Sequence, residues 1–217
     1  MEKSYKMIKQ NAEAVLIEKK SRFIGYSSPV FSEEEALQFI NSIRKKHYDA
    51  SHNCYAYILG EGSATQRSSD DGEPSGTAGV PILEVIRKES LTNTAVVVTR
   101  YFGGIMLGAG GLIRAYTEAA ARSIHEAGML MVKPFAVFSI SADYSYLSKL
   151  QHELAKKDYI ISDTEYTDTV TLKILTPHDQ LEFMPELAAE WTNGSAAVVY
   201  EGIRMLRLDL ASNRIVP

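Results

Sequence analysis

The stretch FAVFSISADYSYLSKLQHELAKKDYIISDTEYTDTVTLKILTPHDQLEFMPELAAEWTNGSAAVVYEGIRMLRL, residues 135–208, decides the fold of the second half of the chain. Residues 135–142 read as a strand, and residues 146–157 as a helix with Leu147, Leu150 and Leu154 aligned on one face. Residues 159–166 and 169–175 flank Thr167-Asp168 as a hairpin. Thr176-Pro177-His178-Asp179 starts a second helix that runs toward Trp191 and stops at Asn193-Gly194. A last strand covers 196–208, and the order is βαββαβ, the ferredoxin-like plan with helices on one face of a sheet. Pro185 falls inside the second helix as read and predicts a kink.

Working outward, residues 112–127 form a helix with Ile113, Tyr116, Ala120 and Ile124 in register, closed by Gly128. Before it stands the densest glycine cluster of the chain: Gly103, Gly104, Gly108, Gly110 and Gly111. Residues 94–102, with Ala95-Val96-Val97-Val98, suit a strand buried on both faces. Residues 60–78 are a long polar connection of the kind that usually carries function, and a short helix follows near Val80 with Pro81 in its first turn. The next strand back alternates, with His52, Cys54, Ala56 and Ile58 on one face and Asn53, Tyr55, Tyr57 and Leu59 on the other. Ser32 and Glu35 form a capping box that opens a helix ending near His47. Val15-Leu16-Ile17 and Phe23-Ile24-Gly25-Tyr26 read as a hairpin around Glu18-Lys19-Lys20-Ser21-Arg22. The expected architecture is α+β in two domains, residues 1–133 and 134–217.

The 217 residues, 45% hydrophobic and 23% charged, are enough to close such cores without disulfide or metal staples. A single cysteine, Cys54, excludes an internal disulfide and paired-cysteine zinc sites, and fits a reducing cytoplasm. Neither an N-terminal apolar h-region nor a run of about 18 apolar residues is present, so the expectation is an untargeted cytoplasmic protein with no membrane partner. Residues 1–133 hold 16 Lys+Arg against 15 Asp+Glu, and residues 134–217 hold 7 against 12. Neither half has the basic excess of a general nucleic-acid binder, so any RNA contact must come from a local patch.

Two glycine-rich segments precede helices, and a helix start offers free N–H donors and a positive dipole end to an anion. At the second segment Arg100 and Arg114 flank Gly103, Gly104, Gly108, Gly110 and Gly111, and guanidinium forks suit phosphate; alternatively the glycines only permit a tight strand-to-helix connection. Ala109-Gly110 stands where a P-loop needs Lys-Ser/Thr, and Ile113 where a dinucleotide fingerprint needs its third glycine, so neither motif is met. In the first segment Asp70, Asp71 and Glu73, beside Ser75 and Thr77, either hold a divalent ion, supply a raised-pKa acid, or are plain turn chemistry. His52 and Cys54 share a strand face, so a nucleophile pair is conceivable, but i and i+2 lie roughly 7 Å apart along a strand, long for a hydrogen bond, and the other reading is a buried structural cysteine. Tyr55 and Tyr57 are either core or a base-stacking platform. No cofactor is expected.

Four separated blocks also carry a resemblance. Ser21-Arg22-Phe23-Ile24, His52-Asn53-Cys54-Tyr55-Ala56-Tyr57, the run from Asp70-Asp71-Gly72-Glu73-Pro74 to Gly79, and Val98-Thr99-Arg100-Tyr101-Phe102-Gly103-Gly104 continuing to Tyr116 resemble, in order, the signature of the YigZ/IMPACT family. The resemblance implies an N-terminal α+β domain like the second domain of a ribosomal small-subunit protein. It implies a C-terminal ferredoxin-like domain similar to the last domain of elongation factor G. Eukaryotic members of the family regulate translation through a partner protein that controls an initiation-factor kinase; no catalytic residue set comes with the resemblance.

The expected function is therefore a translation-linked regulator that binds RNA or a ribosome-associated protein without catalysis. Its surface is Arg100, Tyr101, Gly103, Gly104, Gly108, Gly110, Gly111 and Arg114, and His52, Asp70, Asp71, Glu73, Ser75 and Thr77 form the polar wall of the same cleft. The rival expectation is a small hydrolase or transferase acting on a phosphorylated or nucleotide-like ligand, with the acids as metal or proton carriers. A third is an interaction module that dimerises through its C-terminal sheet.

Overall fold

Residues 94–101 carry Thr-Ala-Val-Val-Val-Thr-Arg-Tyr, and the first sheet is built outward on both sides of them. The structure is a computed structural model describing residues 3–60, 62, 64–212 and 214–216. In chain order its elements are β1 (Tyr5–Ile8), β2 (Ala12–Glu18), β3 (Ser21–Pro29), α1 (Glu33–Lys46), β4 (His52–Leu59), β5 (Thr65–Ser69), α2 (Gly79–Lys88), β6 (Thr94–Tyr101), α3 (Ala109–Ala127) and β7 (Met129–Ala142). There follow α4 (Leu147–Lys156), β8 (Ile160–Tyr166), β9 (Val170–Pro177), α5 (Met184–Thr192), β10 (Ala197–Asp209) and β11 (Ile215–Val216). The protein is α+β, and its chain divides into two compact units, one of Ser4–Val132 with Arg207–Pro217, the other built on Lys133–Leu206.

In the first unit the strands lie in the order β2-β3-β6-β4-β5, every neighbouring pair antiparallel. Because β6 is central and covered on both faces, its apolar run needs no polar side, as the sequence predicts. On one face α1 packs Ala36, Ile40 and Ile43 against Ile24, Tyr26, Tyr57 and Val97. On the other α2 and α3 bring Ile82, Ile86, Tyr116 and Ile124 against Phe23, Cys54, Ala56 and Val98. Each fully buried Ile or Phe here stabilises by about 1.5–3 kcal/mol. Ser32 caps α1 by accepting from the Glu35 N–H at 3.1 Å, while the Glu35 carboxylate accepts from the Phe31 N–H at 2.7 Å, so the expected cap forms with its return bond one residue earlier. Short β1 pairs with the start of β7, and β11 with the end of β10.

In the second unit the order β7-α4-β8-β9-α5-β10 is the expected βαββαβ, with sheet order β10-β7-β9-β8. Alternate residues Ala136, Phe138 and Ile140 of β7 and Val170, Leu172 and Ile174 of β9 face Leu150, Leu154, Met184, Ala188 and Trp191 from the helices. The predicted kink at Pro185 does not occur. The stretch His178–Phe183 is 3₁₀, and α5 starts only at Met184, which places Pro185 in the first turn, where its missing N–H leaves no bond unmade.

Three other boundaries differ from the sequence reading. Helix α3 starts at Ala109, because Gly110 and Gly111 lie inside its first turn, and β7 starts directly after Gly128. The long connection 60–78 contains β5, a polar edge strand, Thr-Gln-Arg-Ser-Ser, whose composition gives no alternation to read; residues 61 and 63 of that connection lie outside the described residues. Among the described residues no helix is long and apolar enough to cross a membrane.

Candidate functional site

The acidic loop between β5 and α2 lies against β4, and each of its carboxylates has an internal partner. Asp70 accepts the N–H groups of Gly76, Ala78 and Gly79 at 2.9, 3.0 and 2.8 Å, and so caps α2, whose N-cap position is the side-chain-poor Ala78. Burial pushes its carboxyl up, but these three donors outweigh that and hold it below the usual carboxylate range. Asp71 accepts from the Asn53 N–H at 2.7 Å and pairs with Arg44 at 2.9 Å. Glu73, only 8% exposed, accepts from Arg100 Nη1 at 2.6 Å and from the Tyr116 hydroxyl at 2.8 Å, with His52 Nε2 3.9 Å away. Thr77 donates to the Pro74 carbonyl at 2.6 Å, and Ser75 is exposed.

Each of the three acids is thus engaged by donors of the protein itself. Among the described residues no three His, Cys, Asp or Glu side chains converge on a point that could hold a metal ion. Arg100 is likewise no surface group: 5% exposed, it lies between the Phe23 and Phe102 rings, each 5.3 Å from its guanidinium carbon, and its Nε has no hydrogen-bond partner among the described residues. Such a buried pair ties the loop to the end of β6. The thiol of Cys54 is fully buried, donates to the Asp70 carbonyl at 2.9 Å, and is pushed up to about 12 by burial, which leaves it inert. The His52 Nδ1 lies 2.8 Å from the carbonyl oxygen of the next loop residue, Asp71. Tyr55 and Tyr57 stack with centroids 6.4 Å apart; Tyr57, 2% exposed and donating to Glu33 at 2.6 Å, is core beneath α1, while Tyr55 is half-buried beside it.

A second group of predicted residues faces outward. Lys19 and Lys20 form the tip of the β2–β3 hairpin with φ of 45° and 66°, a two-residue turn whose left-handed positions normally go to Asn-Gly. The tip rests on Gly103: a Cβ there would come within 2.1 Å of the Lys20 carbonyl carbon, and the Gly103 N–H donates to the Ser21 hydroxyl at 3.1 Å. Tyr101, half-buried, donates to Asp49 at 2.9 Å and carries the Arg22 guanidinium 4.6 Å above its ring. Beyond it Phe102, Ile105 and Met106 are exposed and Gly104 turns in open space. Gly108, at φ 70°, is the N-cap of α3; it has no side chain to cap the helix, no acid stands in the first turn, and among the described residues no side chain caps the donors there. A groove of about 560 Å³ beside the hairpin and the first turns of α3 is lined by both signs of charge, Lys19, Arg114 and Arg122 with Glu18 and Glu118.

The predicted residues therefore separate into an internally bonded network, of which Glu73 and Arg100 are buried and His52, Asp70 and Asp71 half-buried, and an outward surface (Tyr101, the glycine loop, Arg114). Sequence reasoning left Lys19, Lys20 and Arg22 out of the surface; two consecutive lysines at a hairpin tip were the available signal.

An antiparallel sheet wrapped by three helices, followed by a βαββαβ unit, defines the class. A family model described as the Impact N-terminal domain matches residues 19–124, and a domain of unknown function, DUF1949, matches residues 140–195. The chain belongs to the IMPACT family. It is 42% identical over 195 residues to IMPACT family member YvyE of Bacillus subtilis, covering 90% of each chain. It is 32% identical to IMPACT family member YigZ of Escherichia coli, over 82% of this chain and 88% of that one. A crystal structure of a hypothetical protein, 30% identical, superposes with a TM-score of 0.59 over 92% of this chain and 98% of the other.

Proposed function

We propose that the protein is a translation-linked regulator that binds RNA, or a ribosome-associated partner, without catalysis, through the hairpin tip and the loop into α3. One observation carries this: the groups able to do acid–base or metal chemistry are engaged in internal bonds, while Lys19, Lys20, Arg22, exposed Phe102 and the uncapped start of α3 lie together on the outside. Basic groups alternating with aromatic rings beside uncapped backbone donors suit a phosphodiester chain, with phosphates on the lysines and helix start and a base against Phe102. The family resemblance supports the translation link. Arg100 here positions the loop; the phosphate contacts belong to the hairpin.

The test is titration of the full chain with labelled single-stranded RNA at several salt concentrations. Affinity falls as salt rises, and Lys19→Ala and Lys20→Ala each lower the slope of log K against log salt by about 0.7–1. Absence of binding at low salt, or a slope unchanged by both substitutions, overturns the reading.

A further inference from the structure

β2 is an edge strand: it pairs with β3, and nothing pairs with its other side among the described residues. Glu18 and Ser21 flank a two-residue turn with positive φ at both central positions, so they form a hydrogen-bonded pair, and the alternation continues through Leu16, Ala14 and Ala12. The N–H and C=O groups of Glu13, Val15 and Ile17 therefore point away from β3, unpaired. Val15 and Ile17 are also 47% and 69% exposed, and no proline, bulge or central charge protects the strand.

The wall beside this edge is α3. A Cβ on Gly25, the register partner of Ala14, would collide with the Ala119 carbonyl and touch Ser123, so the middle of β2 lies level with residues near 120 of the helix. Along the groove beside β2 the helix presents Arg114, Glu118, Arg122 and Glu126, alternating in sign at four-residue spacing. That order is self-complementary about residue 120: an antiparallel copy sets Arg114 opposite Glu126 and Glu118 opposite Arg122.

The geometry points to a second copy of this chain as the occupant of the edge, with β2 pairing antiparallel to its twin about a two-fold axis at Val15. Val15 then meets Val15, Glu13 meets Ile17, and Ala12 meets Glu18, so no like charges oppose and the three outward residues of each strand exchange their bonds. Strands pair about 4.8 Å apart and α3 covers both β2 and β3, so the two α3 helices come to roughly 9–10 Å, an ordinary helix-packing distance. The charge alternation then becomes an intersubunit ladder. This is a different surface from the C-terminal sheet considered from the sequence.

Sedimentation equilibrium of the full chain at low salt tests it, with an expected mass twice the 24.1 kDa of one chain. Arg114→Glu and Glu126→Arg each place like charges across the axis and give monomers with unchanged circular dichroism. Residues 114 and 126 are about 18 Å apart along one helix, too far to touch within a chain. A one-to-one mixture of the two variants, in which both facing pairs are again opposite in sign, must recover the doubled mass. A monomeric wild type, or a mixture that stays monomeric, overturns the proposal. Should either variant fail to fold, Val15→Lys, which charges the axis position, must also give a monomer; a Val15→Lys dimer overturns it as well. The readout is mass, so loss of RNA binding is a separate result.

Discussion

The decisive residue is Glu73. Its carboxylate accepts from Arg100 and Tyr116 in a region only a few per cent exposed, and desolvation of both ions makes the pair costly to break and cheap to replace whole. Glu73→Ala leaves the Arg100 guanidinium buried without its counter-charge, and urea denaturation should show a loss of about 3–5 kcal/mol. Replacing both partners together, Glu73→Leu with Arg100→Met, should recover most of that loss, an outcome a catalytic pair would not share with its activity intact. Gly103 is the second residue of this kind. Its Cβ position is filled by the backbone of the hairpin tip, so Gly103→Ala must displace Lys20, at about 1–3 kcal/mol in a thermal melt, and should weaken RNA binding by moving the tip.

At the scale of the element, α2 and α1 differ in how pH reaches them. Asp70 holds the start of α2 as an ion, and its folded pKa is depressed, so its stabilisation is present above the unfolded value near 3.9 and is lost as pH falls through the folded one. Asp70→Ala should cost about 1 kcal/mol at neutral pH, and the stability curves of variant and wild type should converge in strong acid. At the end of α1, His47 lies between the Tyr26 hydroxyl at 2.7 Å and the Tyr101 hydroxyl at 2.9 Å, and burial, followed by the charge of Lys46, lowers its pKa. The unfolded chain therefore binds this proton first, and stability should decline as pH falls below about 6.5, levelling off under the folded pKa. Comparing unfolding free energies at neutral and mildly acid pH, His47→Gln should lack that decline; an equal decline in the variant would place its cause elsewhere.

At the scale of the whole molecule, the elements legible in sequence were those whose reason is local. The capping box of α1, the valine run of β6 and the leucine spacing of α4 each carry their own period or cap. β5 and β1 were not legible, because a polar or very short edge strand is specified by its neighbour and not by its own pattern. The candidate site was half legible for the same reason. Asp70, Asp71, Glu73 and Arg100 stand out as a motif, but whether an acid faces a ligand or an arginine depends on packing between β4, β6 and α3, which no spacing encodes. The division into two cores has a measurable consequence. Side chains from residues 8–127 fill the core clusters of one unit and those from 136–191 the core of the other, where the single tryptophan, Trp191, is 5% exposed. Its emission reports on the second unit, whereas far-UV circular dichroism reports on both. In Glu73→Ala the far-UV transition should gain an earlier component while the Trp191 midpoint stays at the wild-type value; a Trp191 midpoint that moves with it would show that strands β7 and β10, which run from one unit into the other, make the two unfold as one.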